Sequence, residues 1–122
     1  MNYTATHLVD HPEGGLFREV YRSPQKIKQK NGKEKCALTH IYFELKSGEF
    51  SKFHRVEQEE VWNLYRGKGL RLWTLDPDTS KLNCQELSSA SNCYCFVIPA
   101  GHWQAAEPLE GDVLVGCSVA PG

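Results

Sequence analysis

The sequence has no long apolar run and no excess of charge of either sign. None of its hydrophobic stretches reaches the ~20 residues that cross a bilayer, so a membrane-spanning protein is not expected. Fourteen basic residues stand against fifteen acidic residues, for a formal net charge of −1. Because phosphate backbones and anionic membranes are held mainly by clustered lysine and arginine, this balance argues against a nucleic-acid or membrane partner.

The N-terminal residues also lack the basic start and the apolar segment of a secretory signal. The five cysteines are an odd number and include no CxxC pair, which is not typical of a disulfide framework. We therefore expect a cytoplasmic protein whose cysteines serve as small buried hydrophobes. At 122 residues the chain is expected to form one domain, residues 1–122.

What the sequence does have is a period near two in its apolar and aromatic residues, while helical spacing is rare. Five stretches are typical of strands: residues 38–45 (LTHIYFEL), 60–67 (EVWNLYRG), 69–76 (GLRLWTLD), 93–99 (CYCFVIP) and 112–121 (DVLVGCSVAP). Turn signals recur about every 8–12 residues, as in sandwiches and barrels. The sequence therefore predicts an all-β fold.

Two segments fit the strand pattern less well. Residues 2–10 (NYTATHLVD) are the one candidate helix. Residues 23–35 are polar and contain five lysines, and Asn31-Gly32 predicts a hairpin turn there. The lysines allow an anion-binding patch, but the sequence favours a solvated loop tip.

Residues 48–67 place chemically useful side chains at regular intervals. His54 follows Gly48 after five residues, Glu60 follows Val56 after three, and Gly67 follows Glu60 after six. On an extended strand, His54 and Val56 point to the same face. Glu60 then returns on the neighbouring strand, so a histidine and a carboxylate are expected to share one interior.

A second set of spaced residues lies in CYCFVIPAGHWQAAEP, residues 93–108. Pro99 and Gly101 turn the chain so that Gln104 comes back towards the same interior. A small barrel has room inside for one small ligand. Since a histidine or a glutamate is costly to bury without a partner, His54 and Glu60 indicate a pocket.

These spacings resemble the two signatures of the cupin barrels. Residues 48–67 match G-x5-H-x-H-x3-E-x6-G except that Val56 replaces the second histidine. Residues 93–108 are similar to G-x5-P-x-G-x2-H-x3-N, with Gln104 in place of the histidine. The runs HPEGGLFREVYRS, VIPAGHWQAA and LVGCSVAPG extend the resemblance over essentially the whole chain, to the small cupin-5 family, also called "predicted sugar epimerase, cupin superfamily".

The resemblance implies a double-stranded β-helix, or jelly-roll barrel, that is usually a homodimer. The biochemical function of the cupin-5 family is largely unassigned. Three functions stay open for this chain.

The first is a metal-dependent enzyme. Cupin sites usually supply three histidines and a glutamate to Fe, Mn, Ni or Zn, because such ions favour imidazole. The equivalent positions here are His54, Val56, Glu60 and Gln104. Valine donates nothing and a neutral amide is a weak ligand, so His54 and Glu60, with or without Gln104, are expected to bind a divalent ion poorly.

The second is a metal-free epimerase or isomerase of keto sugars, with a sugar nucleotide as candidate substrate. Such an enzyme removes a proton next to a carbonyl and needs a base and an opposing donor. His54 is the candidate base, because histidine titrates near ~6.5, and Glu60 would orient its ring. Tyr42 and Tyr65 are candidate donors, although strict alternation turns Tyr65 away from Glu60.

The third is a non-catalytic protein that binds a small polar or aromatic ligand. Small-molecule pockets are mostly apolar with a few placed polar groups. The polar groups here would be His54, Arg55, Glu60 and Gln104. The expected aromatic lining consists of Tyr42, Phe43, Phe53, Trp62, Trp73 and Trp103; ordinary core packing is the alternative role for each of these rings.

Overall fold

The computed structural model describes residues 2–122, and strands are the only regular secondary structure in that range. The expectation of one domain over residues 1–122 includes Met1, which lies outside the described residues. Residues 2–122 hold no helix that could cross a membrane. The strands are β1 (Val9–Asp10), β2 (Leu16–Arg22), β3 (Lys26–Lys28), β4 (Glu34–Cys36), β5 (Thr39–Leu45), β6 (Ser51–Arg55), β7 (Glu59–Arg66), β8 (Leu70–Leu75), β9 (Leu82–Leu87), β10 (Cys95–Ile98), β11 (Trp103–Pro108) and β12 (Val113–Ala120).

The strands pair antiparallel in two main sheets that pack face to face. One sheet has the order β1-β2-β5-β12-β7-β10 and the other has the order β6-β11-β8-β9. Several neighbours in these sheets are distant in sequence, as when β12 lies between β5 and β7. This is a jelly-roll barrel, and the predicted all-β barrel is confirmed.

The five stretches with alternating apolar residues all form strands, namely β5, β7, β8, β10 and β12. Alternate residues of each strand face the other sheet, and most of the inward ones on these five strands are apolar. Each large side chain buried in this way stabilises the fold by about 1.5–3 kcal/mol. The buried core consists of Phe43, Leu45, Trp62, Leu70, Leu72, Leu87, Ile98, Ala106, Val113, Val115 and Cys117.

The candidate helix in residues 2–10 was a wrong prediction. That segment contains no helix and ends in β1. The guanidinium of Arg18, on β2, donates hydrogen bonds to the backbone carbonyls of Thr4 at 3.0 Å and Thr6 at 3.3 Å. These carbonyls are therefore bound from a neighbouring strand and not by amides one helical turn later.

The hairpin predicted from Asn31-Gly32 is confirmed. It consists of β3 and β4, which pair antiparallel and lie between β2 and β5 along the chain. Gly32 has a φ of 84°, and the Asn31 side chain accepts a hydrogen bond from the Lys33 amide at 2.9 Å. Both features are typical of tight turns.

Gly69 is placed where only glycine fits. It stands just before β8 with a φ of +129°, and a Cβ at this position would lie 2.2 Å from the carbonyl oxygen of Leu87. Both the backbone conformation and the neighbouring strand therefore exclude a side chain.

Replacing Gly69 by alanine should lower the free energy of unfolding by about 2–4 kcal/mol, because backbone strain adds to a clash with an unyielding strand. Gly32→Ala is the matched control, since Gly32 also has a positive φ but has nothing within 4 Å of an added Cβ. Its loss should be only about 1 kcal/mol. Urea denaturation measures both, and equal losses would contradict this account.

Candidate functional site

Both sheets direct side chains into one small cavity inside the barrel. Its volume open to water is about 20 Å³, which is room for about one water molecule. The cavity is lined by His11, Ile41, Phe43, Ser51, His54, Glu60, Trp62 and Cys117.

A hydrogen-bonded link crosses the barrel beside this cavity. The Trp62 indole Nε1–H donates to Gln104 Oε1 at 2.9 Å, and Gln104 Nε2 donates to Glu60 Oε1 at 2.8 Å. An indole nitrogen can only donate, so it fixes which end of the Gln104 amide faces Glu60. All three residues are buried, and the Gln104 side chain has no exposed surface (0%).

Glu60 is a buried carboxyl group whose proton is held unusually tightly. Burial raises its pKa above the usual value, while the hydrogen bond from Gln104, the nearby His54 and the hydrogen bond from Cys117 oppose that rise. Burial, and then the Glu60 carboxylate, raise the pKa of the Cys117 thiol. Cys117 is therefore a neutral thiol rather than a thiolate.

His54 reaches the cavity because of a bulge in β6. His54 pairs with Gln104 and Ser51 pairs with Ala106, so two residues of β6 stand opposite one residue of β11. The His54 Nδ1 lies 2.9 Å from the backbone carbonyl of Lys52. A carbonyl only accepts, so Nδ1 carries the proton and the neutral ring has a lone pair at Nε2.

His11 is a site residue that the sequence analysis missed. Its ring contacts Phe17 and Phe43 edge-on, and its centroid lies 6.4 Å from that of His54. The Glu13 amide donates to His11 Nδ1 at 3.0 Å, so the neutral ring carries its proton at Nε2. Burial, and then His54, lower the pKa of His11, which favours this neutral form.

Residues 11–15, here called the crossing segment, bring His11 to the cavity. The Lys52 amide donates to the Glu13 carbonyl at 2.8 Å, which ties the segment to the edge strand β6. A Cβ at Gly14 would lie 2.4 Å from the Phe50 carbonyl oxygen. The adjacent glycines in HPEGG are the signal that could have located His11, since they indicate a backbone that bends closely over another strand.

Of the predicted site residues, His54, Glu60, Phe43, Trp62 and Gln104 converge inside the barrel. The other six predicted residues do not, namely Tyr42, Phe53, Arg55, Tyr65, Trp73 and Trp103. Tyr42, Arg55 and Trp103 lie on the outer faces of the sheets, because each follows or precedes an inward residue on its strand. The exposed fraction of Trp103 is 39%.

The two candidate tyrosine donors also lie outside the barrel. Tyr42 and Tyr65 pack together on the outer face of the six-stranded sheet, with ring centroids 5.7 Å apart. The Tyr65 hydroxyl lies 3.0 Å from His40 Nε2, and His40 Nδ1 lies 2.6 Å from the Ser118 hydroxyl. Neither tyrosine reaches His54.

The expected aromatic lining is thus divided between two places. Phe53 and Trp73 face outwards from the four-stranded sheet, where they line a cavity of about 310 Å³ together with Phe50. Ala105 and Ala106 also line this cavity. Phe43 and Trp62 alone among the predicted rings line the barrel interior.

The donors inside the barrel do not fit a cupin metal centre. The Gln104 oxygen, its one potential ligand atom, already accepts the Trp62 indole hydrogen. Val56 has no donor and lies beyond the end of β6. Within residues 2–122, no three histidine, cysteine, aspartate or glutamate side chains are grouped so as to hold a metal ion.

The barrel, its interior and the two signatures can be compared with known proteins. The Cupin_5 family, described as Cupin superfamily (DUF985), matches residues 4–122. The chain belongs to the Cupin_5 family. The resemblance drawn from the sequence is thereby confirmed, and no curated protein matches this cupin.

Solved structures with the same fold include two of similar sequence. Protein SO0799 from Shewanella oneidensis is 32% identical with a TM-score of 0.83, over 94% of this chain and 72% of that chain. A hypothetical protein from Leishmania major is 28% identical with a TM-score of 0.79, over 94% and 76%. KdgF from Halomonas sp., at 18% identity and a TM-score of 0.67 over 94% and 87%, shares the fold alone.

Substituting leucine for Gln104 should lower the free energy of unfolding by about 3 kcal/mol, because the Trp62 indole and the Glu60 carboxyl both lose a buried partner. Gln25→Leu is the control, since Gln25 is exposed, and its effect should stay within about 0.5 kcal/mol. Chemical denaturation compares the two. A loss below about 1 kcal/mol for Gln104→Leu would show that the crossing link contributes little.

The raised pKa of Glu60 predicts a pH-dependent stability. Between the unfolded and the folded pKa, the folded chain keeps a proton that the unfolded chain has released, so stability falls as pH rises. Glu60→Gln has no group that titrates at this position. The difference between its free energy of unfolding and that of the unchanged chain should therefore grow in favour of the variant from about pH 4 to about pH 7. The growth is about 1.4 kcal/mol for each unit by which folding raises the pKa of Glu60.

Urea denaturation at several pH values measures that advantage. Glu59→Gln is the control, because Glu59 is the exposed neighbour on the same strand. An advantage of Glu60→Gln that does not change with pH would contradict the prediction.

Proposed function

We propose that this cupin binds the carbonyl end of a small molecule at the barrel cavity and moves a proton there without a metal, as an epimerase or isomerase does. One observation carries the proposal. The backbone fixes opposite tautomers on two neighbouring histidines, so that His54 offers a lone pair at Nε2 and His11 offers a hydrogen at Nε2. A base and a hydrogen-bond donor are the two groups that proton abstraction next to a carbonyl requires.

The two rings have complementary roles in this chemistry. His54 Nε2 takes a proton from the carbon next to the carbonyl, the electron pair of that C–H bond forms a C=C bond, and the π electron pair of the carbonyl moves to its oxygen. The neutral His11 Nε2–H donates a hydrogen bond to the oxygen as it gains charge. A proton from solvent then adds to the opposite face of the carbon as the electron pair returns from the oxygen, and the His54 imidazolium releases its own proton to solvent, which inverts the carbon and completes an epimerisation.

Glu60 supports the charged form of the base. It is close enough to His54 for the two charges to interact. When Glu60 is ionised, its carboxylate therefore stabilises the imidazolium that forms when His54 takes the proton. Gln104 holds the carboxylate in place at 2.8 Å.

The size of the cavity restricts how a substrate is held. With about 20 Å³ open to water, the interior admits only the reacting end of a molecule unless the crossing segment moves. A keto sugar, free or linked to a nucleotide, is the substrate class that we propose, supported by the resemblance of the chain to predicted sugar epimerases. Most of such a molecule must lie outside the barrel.

Solvent deuterium exchange tests the proposal. The purified protein should catalyse deuterium incorporation at the carbon next to the carbonyl of a keto-sugar nucleotide, and His54→Gln should slow it by about 100-fold or more. His11→Phe should slow exchange while keeping the contacts to Phe17 and Phe43, and His11→Gln, which restores a donor, should recover part of it. His7→Gln is the control, since His7 is exposed and lies outside the cavity lining.

Two results would overturn this function. One is exchange at the uncatalysed rate with every keto sugar tested, and the other is exchange by His54→Gln at the rate of the unchanged protein. Folding of each variant is checked by its thermal unfolding.

A non-catalytic binding protein is the second candidate, and the outer cavity favours it. Its volume of about 310 Å³ lies at the lower end of the usual range for small-ligand pockets, and Phe50, Phe53 and Trp73 supply flat apolar walls. A ligand that contacts Trp73 and undergoes no exchange would place the protein in this class.

We also infer that the protein works as a homodimer in the cytoplasm. Exposed apolar side chains on the outer sheet faces support association, among them Phe53, Val97 and Trp103. All five cysteines are free, which supports a reducing compartment.

A further inference from the structure

A wide polar groove lies between the β3–β4 hairpin and the turn that joins β6 to β7. Its volume is about 970 Å³, many times that of the barrel cavity. Lys30, Lys33 and Lys35 line it from the hairpin, and Arg55, Glu57 and Gln58 line it from the turn.

The hairpin sorts its charges between two faces. Lys33 and Lys35 are two residues apart and point to the groove side, while the intervening Glu34 lies on the other face with its partner Lys28. Lys30 adds a third cation from the tip. Within residues 2–122, none of the three groove lysines forms an ion pair with a carboxylate.

The opposite wall carries a cation that is held in position. Arg55 Nε donates to the Gly101 carbonyl at 2.8 Å and lies 3.7 Å from Glu57 Oε1. Its two terminal nitrogens make no hydrogen bond to another described residue, so the planar fork is left available. The groove therefore has four cations and one carboxylate, in a chain whose formal net charge is −1.

We propose that this groove binds a diphosphate group of a small molecule. Cations on two facing walls suit an anion with oxygens on two linked centres, so that the lysines and Arg55 bind different phosphoryl groups. A fixed guanidinium fork binds phosphate oxygens through two parallel hydrogen bonds, and mobile lysines add charge without demanding one geometry. The groove is also large enough for the rest of the molecule to remain in contact with the turn.

The position of the groove gives this anion site a relation to the barrel. His54 and Arg55 are adjacent on β6, and alternation sends His54 to the cavity and Arg55 to the groove. Because Arg55 and His54 lie on opposite faces of the edge strand β6, a molecule anchored by its diphosphate at Arg55 would have to pass around that edge to place its other end at the cavity. This relation rests on the function proposed above, whereas binding of the anion itself does not.

Titration of the full chain with pyrophosphate, in buffer without divalent ions, tests the proposal. Amide NMR signals of the hairpin tip and of Gln58 should shift with saturation, and pyrophosphate should bind at least tenfold more tightly than inorganic phosphate or sulfate at equal ionic strength. Replacing Lys30, Lys33 and Lys35 together by glutamine should weaken binding at least tenfold. Arg55→Lys, which keeps the charge and removes the fork, should weaken it about threefold or more.

The control replaces Lys26, Lys28 and Lys46 by glutamine, which removes the same charge without touching the groove lining. Its affinity for pyrophosphate should change less than twofold. Equal weakening by both triple variants would show general charge attraction and overturn the proposal, as would equal affinity for pyrophosphate and phosphate. His54 does not line the groove, so His54→Gln should bind pyrophosphate as the unchanged chain does. Loss of proton transfer with normal pyrophosphate binding is thereby distinguished from loss of the anion site.

Discussion

The hydrogen-bonded link from Trp62 through Gln104 to Glu60 is the interaction on which the interior depends. Trp62 and Glu60 belong to β7 in one sheet and Gln104 belongs to β11 in the other, so the link joins the two halves of the barrel. It allows a carboxyl group to be buried with partners, and it removes the Gln104 amide from any role as a metal ligand. The cupin fold is kept, and Gln104, which replaces the usual histidine of the second signature, hydrogen-bonds to Trp62 and Glu60 inside the barrel.

Much of the fold was predictable from the sequence because strand signals are local. Alternation located β5, β7, β8, β10 and β12, and Asn31-Gly32 located the hairpin. The convergence of His54, Glu60 and Gln104 also followed from the spacing of the two cupin signatures, although only Glu60 lies on a strand, β7, that the apolar alternation located.

What the sequence could not supply were the parts that depend on long-range packing. His11 reaches the cavity on an irregular segment, so no period predicted its position. Trp103 and Trp73 were assigned to the interior because aromatic character does not reveal which sheet face a residue occupies. The bulge in β6 shifts the inward and outward alternation of its side chains by one residue, and no residue type in that strand indicates a bulge.

The backbone of Lys52 has a consequence for how the interior opens. Its amide binds the crossing segment through Glu13, and its carbonyl holds the Nδ1 proton of His54. Any movement that lifts the crossing segment to admit a molecule pulls on the same residue that decides where the His54 proton sits. Access to the barrel cavity and the position of the proton on His54 therefore both depend on the backbone of Lys52.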